Sequence, residues 1–358
     1  TSRVRGVPSR AFPRKSLRLT VFATLSSALL FSLILGFVSN SATANTVSSD
    51  ANQCQVAVTS TTGVFVSLTD GRCFVRFTAT GNNTWTAPVG VTSFNTLVIA
   101  GGGGGGADGG SGGGSGSMYE ATVNLNGNTG RQFALTVGGG GSRAIHTRVG
   151  GETDTRNASA GGNSSLAQSN LGFSITAYGG QPGSWPQEWV TVAGGLGGSS
   201  PVANPGSFSL SAVGSHAGRT GATTGGAAWR QDGYPGEAGA VSNLFGGRFI
   251  GSGGSGAHLD SNNRPGGAGG AGGGGRGAGG NASDGWADYH SSPGSPNTGG
   301  GGGGGARHGN VGEIWLEGRL DQSRNGAFGG SGTISISYSA PSLALTTNAN
   351  GARLNTDM

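Results

Sequence analysis

The chain has 358 residues, of which 79 are glycine, 34% are hydrophobic and only 10% are charged. That is about a fifth glycine against roughly 7% in ordinary proteins. Apolar residues are too sparse for a conventional core along the whole length, and charge is too sparse for the usual disordered chain. Collagen is excluded as well, because no Gly-X-Y period is sustained and the 12 prolines do not occupy one.

The formal net charge of +5 comes from the N-terminus. Arg3, Arg5, Arg10, Arg14, Lys15 and Arg18 precede an apolar run at 19–38, and Ala42-Thr43-Ala44 precedes Asn45. A basic stretch, an apolar stretch and an A-x-A site predict a secretory signal peptide over residues 1–44. An uncleaved membrane anchor is the alternative, since the apolar run approaches the ~20 residues that a span needs. Without those six cations, 15 basic residues face 16 acidic ones, so a nucleic-acid partner is not expected. A membrane would be met only through an uncleaved leader. The expected location is extracellular or at the cell surface.

Cys54 and Cys73 are the only cysteines. In an exported chain a pair this close predicts a disulfide, contributing about 3 kcal/mol for a loop of roughly 20 residues on the chain-entropy model. Two separate buried thiols are the alternative. A metal site is less favoured because the five histidines, at 146, 216, 258, 290 and 308, are scattered.

Residues 45–80 read as strands. Val56 and Val58 share a face, Gly63–Leu68 is an apolar-rich run, Asp70-Gly71 is a hairpin signal, and Phe74–Phe77 continues into a third strand. The disulfide would tie the first of these strands to the third. Asn82-Asn83 reads as a turn and Trp85 as an anchor. Phe94–Ala100 is a strand running straight into six glycines, Gly101–Gly106. Tyr119, Ala121, Val123 and Leu125 alternate, as do Phe133, Leu135 and Val137, with Asn126-Gly127 between them as a predicted hairpin. Leu171, Phe173, Ile175 and Ala177 repeat the pattern, Phe208, Leu210 and Ala212 more weakly, and Ile334, Ile336 and Tyr338 end it. No helical periodicity is sustained. The predicted fold is mainly β: an antiparallel, jelly-roll-like β-sandwich over 45–339 with glycine-rich insertions at about 101–116, 138–165 and 179–330, and a linker or truncated region at 340–358.

The glycine tracts admit two states. Gly/Ser chains are flexible coils by default. Alternatively they pack as extended threefold polyglycine II helices, hydrogen-bonded side by side. Ordering a glycine costs roughly 0.5–1 kcal/mol more than ordering alanine, and a net hydrogen bond returns about 1 kcal/mol. Only tracts with aligned neighbours should therefore order. Strands that launch several tracts from one edge would supply the alignment.

The run VRFTATGNNTWTAPVGVTSFNTLVIAGGGGGG, the later ALTVGGGG, the repeated GG-x-GG tracts and the closing GSGTISISY resemble the bacterial secreted glycine-rich domain proteins over about residues 52–339. The resemblance implies an exported β-sandwich with glycine-rich insertions and no assigned catalysis. More loosely, the chain is similar to polyglycine-helix domains of phage tail adhesins and of the anaplastic lymphoma kinase ectodomain.

No catalytic set emerges. Gly109–Gly113 fits G-x-S-x-G, but such matches are expected by chance in glycine-rich sequence and no helix pattern follows. Lys15, the only lysine, rules out a Walker site. Asp284 and Asp288 flank Trp286 near His290, a pattern open to a calcium or sugar contact, but a solvated loop is the simpler reading. Trp185, Trp189 and Trp286 are the candidate ligand contacts, as exposed aromatics for sugar stacking, although for Trp185 and Trp189 capping the glycine bundle as core is the simpler reading. The expectation is a non-enzymatic, cofactor-free surface protein whose partners are cell-surface polysaccharide or further copies of itself. A carbohydrate-binding or receptor-recognition module is the alternative.

Overall fold

A computed structural model describes residues 49–149, 152–185, 191–223, 232–259, 265–279, 290–308 and 324–341, all within one compact unit, Val47–Met358. The expected leader, Trp189, Asp284, Trp286, Asp288 and the tail beyond residue 341 lie outside the described residues.

Helix α1 (Ser49–Gln53) precedes strands β1 (Ala57–Val58), β2 (Val64–Thr69), β3 (Arg72–Phe77), β4 (Gly81–Thr86), β5 (Ser93–Ile99), β6 (Met118–Asn124) and β7 (Gln132–Val137). Then come β8 (Ile145–Val149), β9 (Glu152–Arg156), β10 (Ser164–Gln168), β11 (Phe173–Ala177), β12 (Val202–Asn204) and β13 (Ser209–His216). Short ladders β14 (Ala240–Val241), β15 (Arg248–Phe249), β16 (His258–Leu259) and β17 (Arg307–His308) follow, and β18 (Thr333–Ser339) completes the set.

Two six-stranded sheets carry the fold. The first has the order β1-β4-β7-β10-β11-β12 and the second β13-β6-β5-β18-β3-β2. Every pairing within them is antiparallel. Their inner faces share one core. Trp85 and Phe133 of the first sheet meet Phe94 of the second at centroid distances of 5.1 and 5.4 Å, and Trp85 meets Tyr338 at 5.6 Å. The alternation read in the sequence is the cause: Ile334, Ile336 and Tyr338 are buried in this core, as are Phe133, Leu135 and Val137. This is the predicted antiparallel β-sandwich.

Three local expectations are corrected. Asn126-Gly127 does not close a hairpin, because β6 pairs with β5 and β13 while β7 pairs with β4 and β10. Two alternating arms with apolar inward faces serve equally well on opposite walls of a sandwich, and the turn residues, both at positive φ, carry the chain across. Asn82 and Asn83 lie inside β4 rather than in a turn. Cys54 follows α1 and is not on a strand. The disulfide with Cys73, Cα atoms 5.7 Å apart, therefore pins that helix to β3. The Asp70-Gly71 hairpin is present, with Thr69 opposite Arg72 and both turn residues at positive φ.

One end of the sandwich is where the glycine begins. Strands β5, β7, β11 and β13 leave toward it and β6, β10 and β18 arrive from it. Ile99 accordingly stands opposite both Met118 and Thr333, Met118 opposite His216, and Ser164 opposite Ala177.

Candidate functional site: the polyglycine bundle

Hydrogen-bonded strands lie about 4.8 Å apart, so strands ending in register deliver glycine chains already within reach of one another. From there each chain turns threefold. In 101–106 the N–H groups of Gly101 and Gly104 donate to Gly162 and Ser159, those of Gly102 and Gly105 to Gly330 and Ala327, and those of Gly103 and Gly106 to Gly114 and Ser111. Every third residue points at the same neighbour, which is the polyglycine II repeat of three residues per turn.

The returning tract 110–117 keeps the rule. Gly110, Gly113 and Gly116 donate to Gly305, Gly302 and Gly299, Ser111, Gly114 and Ser117 to Ser184, Gln181 and Tyr178, and Gly112 and Ser115 to Ala222 and Arg219. Neighbouring chains run both ways. The 110–117 tract is antiparallel to 299–305, whereas Gly301 and Gly304 donate to Gly251 and Gly254 in parallel register. The bundle is a two-dimensional lattice of backbone, unlike a sheet, in which each strand has neighbours on only two sides.

Close approach dictates the residue type. A Cβ on Gly102 would lie 2.1 Å from the carbonyl oxygen of Gly300, and one on Gly113 2.2 Å from that of Gly103. No side chain fits there.

Serine is the systematic exception, and its placement follows a second rule. Ser117 N–H donates to the carbonyl of Tyr178 while its hydroxyl accepts the Tyr178 N–H at 2.7 Å. The same two-point clasp joins Ser111 to Ser184, Ser115 to Arg219, Ser252 to Glu237, Ser255 to Tyr234, Ser292 to Arg276 and Ser159 to Ser142. In every case the clasped residue carries a side chain. The serine supplies both a donor and an acceptor to one residue of the next chain, so a non-glycine residue can be held at the margin of the lattice.

Other residues flank the bundle. Asn325 Oδ1 accepts the His146 N–H at 2.8 Å, Arg324 lies 3.3 Å from His146 Nε2, and its Nε is 3.9 Å from Asp108. Trp185 is half-buried where a tract ends, and His290 is exposed. Among the described residues, no group of three or more His, Cys, Asp or Glu is placed to hold a metal. No helix among them is long and apolar enough to cross a membrane.

Sequence reading missed Glu120. It lies on β6, beside the edge strand β13 of the second sheet, fully buried, and accepts from Ser242 Oγ at 2.7 Å, Asn243 N at 3.1 Å and Leu244 N at 3.2 Å. Its carboxylate pins a strap, residues 240–250, across the outer face of the sheet. There Ala240 and Ile250 pack with Leu97, Ile99 and Met118. The available signal was a lone acidic residue on a strand otherwise built for burial.

Paired sheets whose strand ends seed a threefold glycine lattice define a glycine-rich β domain. The chain belongs to the glycine-rich domain family, whose model matches residues 78–339. That span begins just after β3 and ends with the last residue of β18. No curated protein matches the chain.

Proposed function

We propose that the protein is a secreted or cell-surface structural and adhesive component without catalytic activity. The observation that carries this reading is the bundle. It presents a broad, charge-poor body whose backbone groups bond to one another, on a base tied by a disulfide. Such a body suits a spacer or surface platform better than a site of chemistry. The leader-like residues 1–44, the Cys54–Cys73 bridge and the resemblance to bacterial secreted proteins and, more distantly, to phage tail adhesins support export.

Expression of the full chain in an exporting host tests it. The expected result is a mature N-terminus at Asn45 by mass spectrometry, oxidised cysteines, and surface retention or concentration-dependent self-association in sedimentation. Retention inside the cell with both thiols alkylatable would overturn it.

The alternative, an extracellular carbohydrate-binding or receptor-recognition module using aromatics at the surface, draws on the half-buried Trp185, with Trp189 and Trp286 as the exposed partners expected from sequence. Glycan-array binding that disappears in the Trp185→Ala/Trp189→Ala variant would favour it over the structural reading.

A further inference from the structure

The strap held by Glu120 covers only part of the second sheet's outer face. Beside it lies a groove of about 320 Å³ over β2, β3, β5 and β18, near the lower end of the roughly 300–1,000 Å³ typical of small-ligand sites. Its floor is one lateral row of the sheet, in which Phe65 stands opposite Arg76, Arg76 opposite Ser335 and Ser335 opposite Leu97. The next outward-facing row runs Phe74, Ser337, Asn95. Phe65, 62% exposed, forms one rim, and Phe245 and Phe249 of the strap form the other.

The groove carries one basic side chain and no acidic one. Arg76 is exposed, its Nε donating only a long 3.4 Å bond to Thr333; Arg72, two rows further along the same face and outside the groove, gives one bond to Ser337 at 3.2 Å. No carboxylate among the described residues pairs with either guanidinium. Glu120, the acidic side chain on this face, is enclosed by the strap it anchors.

We propose that this groove binds an acidic saccharide, a pyranose bearing a carboxylate. A sugar ring offers one apolar face for an aromatic rim and hydroxyls for a floor of serine and arginine. A carboxylate matches the planar donor fork of Arg76. The Arg76 guanidinium, paired with no carboxylate among the described residues, selects an anionic ring over a neutral one. An added peptide strand is disfavoured because the edge of β2 is already engaged, Asp50 of α1 accepting the Leu68 N–H at 3.2 Å. The proposal deepens the surface reading by naming the polysaccharide class that would be gripped.

Titration calorimetry of the full chain with trigalacturonate, and with its methyl ester as the uncharged counterpart, is the test. The acid should bind and weaken as salt rises. The ester should bind at least about tenfold more weakly. Arg76→Gln should weaken the acid by a similar factor and Phe65→Ala several-fold, while Arg131→Gln, at an exposed position just before β7, should match the parent. Both groove positions are exposed, and equal melting temperatures would confirm that the variants fold. No binding of the acid, equal binding of acid and ester, or binding unchanged by Arg76→Gln would overturn the proposal. Self-association and surface retention are measured separately, so the structural reading can stand if the groove is empty of function.

Discussion

Ser117 and Tyr178 grip one another through both backbone groups, Ser117 N–H to Tyr178 C=O at 2.9 Å and Tyr178 N–H to Ser117 Oγ at 2.7 Å. The hydroxyl thus does the work that a third glycine chain would do elsewhere in the lattice. Ser117→Ala keeps a small side chain but leaves the Tyr178 N–H without its acceptor. A donor left unsatisfied costs roughly 1–3 kcal/mol when buried, and the Tyr178 N–H is partly buried. Chemical denaturation should show a loss in that range for Ser117→Ala. A double variant that also removes a distant clasp, Ser252→Ala, should add nearly independently, because the two sites share no partner.

Glycine in the lattice is required by neighbours, and the requirement varies sharply between adjacent tracts. Gly113 is surrounded, with the carbonyl oxygens of Gly103 and Gly104 at 2.2 and 2.8 Å from its would-be Cβ. At Gly139 the nearest atom is a methyl of Thr80 at 3.8 Å. Gly113→Ala should therefore pry two chains apart and destabilise by more than about 3 kcal/mol, in line with severe overpacking. Gly139→Ala should fall within about 0.5 kcal/mol of the parent. Hydrogen exchange gives a second measure. The amides of Gly103 and Gly113 should be protected like those of β5, and Gly113→Ala should release them. Fast exchange at both amides in the parent protein would contradict the lattice.

These contrasts also show how far the sequence could be read. Period-two alternation at Phe133-Leu135-Val137 and at Ile334-Ile336-Tyr338 identified core-facing strands, because a strand with one buried face must alternate. It could not say which sheet each strand joins. The supposed hairpin at Asn126-Gly127 therefore turned out to span the sandwich. Ordered glycine was foreseeable from strands ending in polyglycine, but the partner of each tract was not, since glycine carries no pattern to specify register. The information lay in the interruptions: Ser111, Ser115, Ser117, Ser252 and Ser255 mark the clasps. The groove escaped notice because its residues converge from four strands, two of them more than 250 positions apart in the chain.

The disulfide fastens a region that otherwise has little to hold it. Helix α1 is five residues long, far below the ~12–15 that an isolated helix needs, and it caps the edge of β2 through Asp50. Reduction, or Cys73→Ser, should cost about 3 kcal/mol on the chain-entropy estimate. It should also raise protease sensitivity first between residues 49 and 62. The sheet core, anchored by Trp85 and Phe133, should unfold later in the same titration. Simultaneous loss of both regions at low denaturant would show that the base and the sandwich are one cooperative unit.

Tyr338 links the last strand to the same base: its hydroxyl donates to the Cys54 carbonyl at 2.8 Å. Burial pushes the phenol up to about 12, with the Trp85 side chain pulling weakly the other way. The folded state thus holds this proton more tightly than the unfolded chain, whose phenol ionises near 10. The sign follows directly. The contribution is complete below pH 10 and is lost as pH rises from 10 to about 12, with a slope of about 1.4 kcal/mol per pH unit. Tyr338→Phe should cost about 1 kcal/mol at neutral pH through the missing hydrogen bond, and it should flatten the alkaline limb of the stability curve. Tyr119, whose phenol burial also raises, will leave a residual slope. The diagnostic is therefore the difference between parent and variant between pH 10 and 12, measured by denaturant midpoint. An unchanged alkaline limb would mean that the Tyr338 hydroxyl is not held against Cys54 in solution.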